Sequence, residues 1–203
     1  MMAPVYVVRG FLSVDQMAEM NAFVDTAIRD GKMGLGVTPE GPNGVFVLKQ
    51  SRFSTRVPWD GFKYPQVVFD VRRQITDMLG LQDVAQHVAG AGSEGIIVNC
   101  MHRGADIYEH VDGKNENDSS LDLLRCNVMS RASDDGGELV IEGRTIPLSA
   151  GDLHCYLAST VRHRVTTVRG ATPRVQWLFG YWIKRADWMS REEKLRNADR
   201  NAD

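Results

Sequence analysis

From about residue 95 the chain breaks into short runs rich in aliphatic, aromatic and β-branched residues, at 95–101, 123–129, 138–141, 152–157, 163–168 and 174–183. Turn-forming clusters bound several of them, notably Asp134-Asp135-Gly136-Gly137 and Ser149-Ala150-Gly151-Asp152. A short strand cannot bury its apolar face alone, so runs of this kind fold against one another as a sandwich or barrel. The carboxyl-terminal half is therefore predicted to be a jelly roll. Upstream the periodicity is helical. Ser13 and Gln16 form a capping-box pattern, Leu12 and Met17 lie at staple spacing, and Val14, Met17, Val24 and Ile28 mark one stripe that Gly31 can end. A helix is expected over 14–30. A second begins near Pro65, turns Val68, Val71, Ile75 and Met78 inward, and ends at Gly80. Between them, residues 31–44 carry five glycines and two prolines, a composition that predicts a loop and a candidate lid.

These signals define an α+β chain, read as a single domain over 1–203: helical support and lead-in strands in 1–94, a jelly-roll core in 95–183 and a charged tail in 184–203. Ser190 and Glu193 pattern a cap for a short carboxyl-terminal helix, with Asp187/Arg191 and Glu192/Arg196 at i,i+4 spacing, expected to be solvated or frayed. A formal net charge of -2 with mixed signs provides no footprint for nucleic acid or an anionic membrane. There is no apolar run near the ~18 residues of a spanning helix and no basic leader, so a soluble, cytoplasmic protein is expected, its oligomeric state open. The odd set Cys100, Cys126 and Cys155 lies in apolar stretches and reads as reduced packing residues.

One constellation carries chemistry. His110-Val111-Asp112 is followed by His163, fifty-one residues after the aspartate, and by Arg174, eleven further on. The H-x-D spacing alone is expected about 0.4 times by chance in a chain with 5 His and 17 Asp among 203 residues. Placement supplies the weight. On a strand end His110 and Asp112 point to one side, and a jelly roll can bring the strand opening at His163 beside them. Two imidazoles and one carboxylate can occupy one face of an octahedral ferrous ion and leave the other open. Arg174 opens the next strand with a planar fork suited to a carboxylate. Arg125 and Asn127 alternate on one strand face and are candidate substrate contacts, a salt bridge being the plainer reading of Arg125. His87, His102 and His154 read as structural or surface histidines, Asp152 as a turn residue, and Trp177, Tyr181 and Trp182 as core or rim aromatics. The polar segment 112–122 joins the 31–44 loop as a candidate substrate cover.

From Gly104 to Arg174 the chain resembles the iron and 2-oxoglutarate-dependent dioxygenases, especially the prolyl 4-hydroxylase-like group. The shared features are Gly104 six residues before His110, the His110-x-Asp112 pair, Gly136-Gly137-Glu138-Leu139-Val140-Ile141, Ala150-Gly151-Asp152, His163-Arg164-Val165 and Arg174. Ile107 and Met101 stand where that group often carries tyrosine. The resemblance implies a double-stranded β-helix in which His110, Asp112 and His163 hold Fe(II) and Arg174 anchors the distal carboxylate of 2-oxoglutarate. With O2 as the other cosubstrate, it implies hydroxylation of a C-H bond with release of succinate and CO2. Asp112 favours hydroxylation over halogenation, since related halogenases carry a small residue there. The substrate class implied is a small amino acid, a natural-product intermediate or a peptidyl side chain. The alternative is a non-catalytic jelly-roll module that binds a metal or senses it.

Overall fold

The computed structural model describes residues 5–35, 52–55, 63–88 and 95–200. In chain order these form β1 (Tyr6–Val8), α1 (Val14–Arg29), β2 (Gly34–Leu35), β3 (Arg52–Thr55), α2 (Gln66–Met78), β4 (Ala85–His87), β5 (Ile96–Met101) and β6 (Ile107–His110). There follow β7 (Leu121–Arg131), β8 (Leu139–Ile141), β9 (Arg144–Ile146), β10 (Leu153–Leu157), β11 (His163–Val165), β12 (Arg174–Lys184) and α3 (Arg185–Arg200). The strands make two antiparallel sheets. A large one runs β1-β10-β7-β12-β5-β3-β2, with β4 also on β12, and a small one runs β6-β11-β8-β9.

Strand alternation gives the large sheet two unlike faces. On one, Val98 and Cys100 of β5, Leu124, Cys126 and Val128 of β7, and Trp177 and Phe179 of β12 pack beneath α1 and α2. On the other, the intervening residues include Arg125 and Asn127 of β7, His154 and Tyr156 of β10, and Arg174 and Gln176 of β12. That polar face looks toward the small sheet, which closes on it through Leu139, Ile141, Tyr156 and Ala158.

α1 begins at the predicted capping box: Ser13 Oγ accepts from the Gln16 backbone N–H at 3.1 Å, and Gln16 Oε1 accepts from the Ser13 N–H at 2.9 Å. Its buried stripe is Met20, Val24 and Ala27, whereas Val14, expected inward, is 77% exposed. α2 buries Val68, Val71 and Ile75 fully, as its pattern required, and Gly80 follows with φ +60. The expected 31–44 loop contributes the short strand β2 to the large sheet, and its remainder lies outside the described residues. The tail also differs from expectation. β12 passes directly into α3, so Ser190 lies inside that helix rather than capping it. Trp188 is fully buried and Glu192 nearly so, with Arg196 bonded to Glu192 and to the Val5 carbonyl. The tail is thus docked rather than solvated. Cys100, Cys126 and Cys155 are free and buried, and burial pushes the Cys100 thiol up to about 11. No helix among the described residues is long and apolar enough to cross a membrane.

Candidate functional site

The small sheet brings His110 and His163 together, because β6 and β11 pair with those two residues opposite one another. Their rings stand 4.1 Å apart, centroid to centroid, at 54°. Asp112 follows β6, and its backbone N–H donates to the Ala158 carbonyl at 3.0 Å, which turns the side chain back toward the pair. Asp112 Oδ1 lies 3.2 Å from His110 Nε2 and 3.8 Å from His163 Nε2. Ligand atoms of all three residues fall within 4.8 Å of one another.

Hydrogen bonds fix which ring atoms meet. His110 Nδ1 is 2.9 Å from the Tyr108 carbonyl and His163 Nδ1 is 3.1 Å from the Val161 carbonyl. A carbonyl only accepts, so each Nδ1 carries a hydrogen, and in its neutral form each ring presents an Nε2 lone pair to Asp112. Three Lewis bases then converge with no donor among them, an arrangement that a cation resolves. The chemistry of this donor set fits a divalent first-row metal. Burial and the neighbouring His110 push the His163 imidazole down to about 4, against the pull of Asp112. Burial alone would raise the Asp112 carboxyl, yet its polar neighbours, the close His110 ring and the Arg125 guanidinium, hold it well below the usual carboxylate range. Both therefore stand in their metal-binding protonation states at neutral pH.

The large sheet supplies the opposite wall. Arg125 Nε donates to Asp112 Oδ2 at 2.9 Å, leaving Oδ1 to face the imidazoles. Arg125, proposed from its strand position as a substrate contact, thus meets Asp112 directly, the plainer of its two readings. Tyr156, opposite Arg125 in the β10–β7 ladder, stands edge-on to His163 with centroids 5.1 Å apart. Burial and the Asp112 charge raise its phenol far above the ordinary value, so it remains protonated. Asn127 lies opposite His154, one alternation further from Asp112.

Arg174 sits at the start of β12 and is almost wholly buried. Burial brings its guanidinium down to about 10, still a cation at neutral pH. Among the described residues no carboxylate pairs with it, and its Nε has no hydrogen-bond partner. A buried cation without a counter-charge is costly, so this geometry favours an incoming anion. Gly137, with φ +72, makes room for the arginine stem: a Cβ there would stand 3.0 Å from Arg174 Cδ. Gly136 answers a separate close approach, since a Cβ there would collide with the Thr167 carbonyl oxygen. A cavity of about 660 Å³ reaches Arg174 and is lined also by Met129, Ser133, Gly137 and Leu139.

Sequence reasoning did not single out Tyr156 or Gln176, and it placed His154 among the structural or surface histidines. Their positions on the polar face follow from strand alternation, but only the sheet topology shows that this face meets the His110-Asp112-His163 cluster. His87 is exposed beside the Tyr181 ring, and Asp152 accepts from the backbone N–H groups of Gly10 and Ser149 as a turn residue does.

No protein family matches the sequence, and no curated protein matches it either. Solved structures do match. A prolyl hydroxylase from Trichoplax adhaerens, in complex with a hypoxia inducible factor oxygen degradation domain peptide fragment, superposes with a TM-score of 0.64 at 12% identity, over 93% of this chain and 87% of that one. A Pseudomonas putida prolyl-4-hydroxylase gives 0.58 at 17% identity, over 89% of this chain and 92% of its own. The viral collagen prolyl hydroxylase of Paramecium Bursaria Chlorella virus-1, in its 2OG complex, gives 0.58 at 16% identity, over 87% and 94%. The chain shares the fold of these oxygenases across most of its length.

Proposed function

We propose that this protein is an Fe(II)- and 2-oxoglutarate-dependent hydroxylase. The observation that carries the reading is the pairing of two complementary sites: three converging Lewis bases on the small sheet, and an uncompensated buried arginine on the large one. His110 Nε2, Asp112 Oδ1 and His163 Nε2 would hold the metal, and Arg174 would bind the far carboxylate of the cosubstrate. The two antiparallel sheets are then the halves of a double-stranded β-helix. Bound iron supplies the oxidising chemistry, in which O2 and 2-oxoglutarate become CO2, succinate and one oxygen atom inserted into a substrate C-H bond.

The chain's own residues prepare that chemistry. The Tyr108 and Val161 carbonyls orient the two imidazoles, Arg125 holds Asp112 ionised with one oxygen directed at them, and Tyr156 limits water beside His163. The substrate is a small amino acid, a natural-product intermediate or a peptidyl side chain, the last supported by the peptide held in the Trichoplax complex.

Succinate measured after incubation in air with Fe(II) and 2-oxoglutarate tests the reading. Formation above a metal-free control is expected, with loss in His110→Ala and Asp112→Ala. Arg174→Ala is expected to raise the 2-oxoglutarate KM at least about thirtyfold, the scale of removing one partner from a buried charge-assisted contact. Metal binding with neither 2-oxoglutarate binding nor succinate formation would make the chain a metal-binding or sensing module instead.

A further inference from the structure

His154 belongs to the polar face, yet nothing in the metal cluster uses it. It is fully buried on β10, with Leu153 and Cys155 on either side turned into the helical core. Its ring lies parallel to Tyr156, at 6° and 6.1 Å between centroids, so its plane is set. Gln176 Nε2 lies 3.1 Å from His154 Nε2, and Gln176 Oε1 accepts from Arg174 Nη2.

These contacts determine where the imidazole proton resides. A guanidinium only donates, so the Gln176 atom facing Arg174 is its oxygen. The other end of that amide is then NH2, which also only donates. His154 Nε2 must therefore accept, and the single hydrogen of the neutral ring sits on Nδ1. Asn127 Nδ2, 3.5 Å from the same Nε2, is a donor and agrees with the assignment. Burial and the Arg174 charge bring the His154 imidazole down to about 3, so the ring is neutral at pH 7.

The chain of contacts ends in an unsatisfied donor. His154 Nδ1 is buried and has no hydrogen-bond partner among the described residues, and the same holds for Arg174 Nε. A packing histidine in a core has both ring nitrogens engaged, because an unmade buried hydrogen bond is costly. Both orphaned donors belong to side chains on the polar face of the large sheet, and one glutamine links those side chains.

We infer that His154, held in its Nδ1–H form by Gln176, is a second donor to the distal carboxylate of a 2-oxo dicarboxylate bound at Arg174. The inference rests on the proposed function and deepens it: His154 selects for the second carboxylate of the cosubstrate. Asn127 and Gln176 are positioning residues in this arrangement.

Two measurements test it. In the unliganded wild-type protein, 15N spectra of the His154 ring are expected to show a protonated Nδ1 and an unprotonated Nε2; the reverse overturns the inference without any variant having to fold. Calorimetric titrations without oxygen, with Mn(II) present, compare 2-oxoglutarate with 2-oxopentanoate, a 2-oxo acid of equal length lacking the second carboxylate. Wild type is expected to prefer 2-oxoglutarate. His154→Phe and His154→Gln should narrow that preference about tenfold or more, the scale of a hydrogen bond to a charged group. His154→Asn, whose amide nitrogen can stand near the Nδ1 position, should retain most of it. Mn(II) affinity serves as the control for folding and should be unchanged in all three. A full preference retained by His154→Phe sinks the inference and leaves the proposed function standing. No binding of 2-oxoglutarate by wild type sinks both.

Discussion

Arg125 and Gly180 form a pair in which the size of one residue sets the position of the other. They face each other across the β12–β7 ladder, and a Cβ on Gly180 would stand 3.1 Å from Arg125 Nη1. Arg125 in turn holds Asp112 at 2.9 Å. Arg125→Leu is therefore expected to weaken Mn(II) binding roughly 10- to 100-fold, the usual cost of losing an outer partner of a metal ligand, as read by electron paramagnetic resonance. Gly180→Ala should weaken it in the same direction by a smaller factor, since the guanidinium can shift a few tenths of an ångström. Acid stability depends on a different residue. The unfolded chain protonates His154 as pH falls through its ordinary value of 6.5, whereas the folded chain resists to about 3. The unfolded state thus binds the extra proton between those limits, and stability is lost on acidification across that window while remaining unaffected above it. One such group contributes a slope of up to about 1.4 kcal/mol per pH unit. Denaturation of the metal-free protein across pH 4–7 should show a shallower decline in His154→Phe than in wild type.

Strand alternation explains what could be read from the elements and what could not. β5, β7, β10 and β12 were legible because their β-rich runs are long enough to show a boundary and a pattern. β1, β4 and β9 have only three residues each, too few for a period to emerge from composition, whereas the equally short β8 and β11 were marked by the Gly136-Gly137 turn and the His163 motif beside them. α3 was misplaced for another reason: no turn residue separates it from β12, so its start at Arg185 carries no cap signal, and the Ser190 pattern within it drew the boundary too late. Its charge also concealed its docking, since Trp188 is one apolar anchor among polar neighbours. Trp188→Ala is expected to destabilise the fold by about 3–5 kcal/mol, measured by urea denaturation, the range for truncating a buried aromatic. Had the tail been solvated, the loss would stay within about 0.5 kcal/mol.

Across the whole molecule, His110, Asp112, His163 and Arg174 could be nominated from the sequence because each belongs to an ordered motif. His154, Tyr156 and Gln176 could not, because residues become neighbours of a site through the pairing of β10, β7 and β12, and no spacing along the chain records that pairing. The candidate metal ligands lie on and beside β6 and β11 of the small sheet, and Arg174 lies on the large one. Metal binding to the folded state alone should raise the melting temperature, by about 5–10 °C at a hundredfold excess over Kd, with chelator reversing the gain. The separation of the two groups onto different sheets has a further result. A diacid held at one end through a bound metal and at the other by Arg174 would span the seam as a rivet spans two plates. The plates are pinned by packed apolar contacts through Leu139, Ile141 and Ala158, so the gap cannot easily adjust to its contents. With both ends held, the protein would act as a caliper: oxaloacetate, one methylene shorter, would leave one head ungripped, and 2-oxoadipate, one methylene longer, would have to buckle to fit.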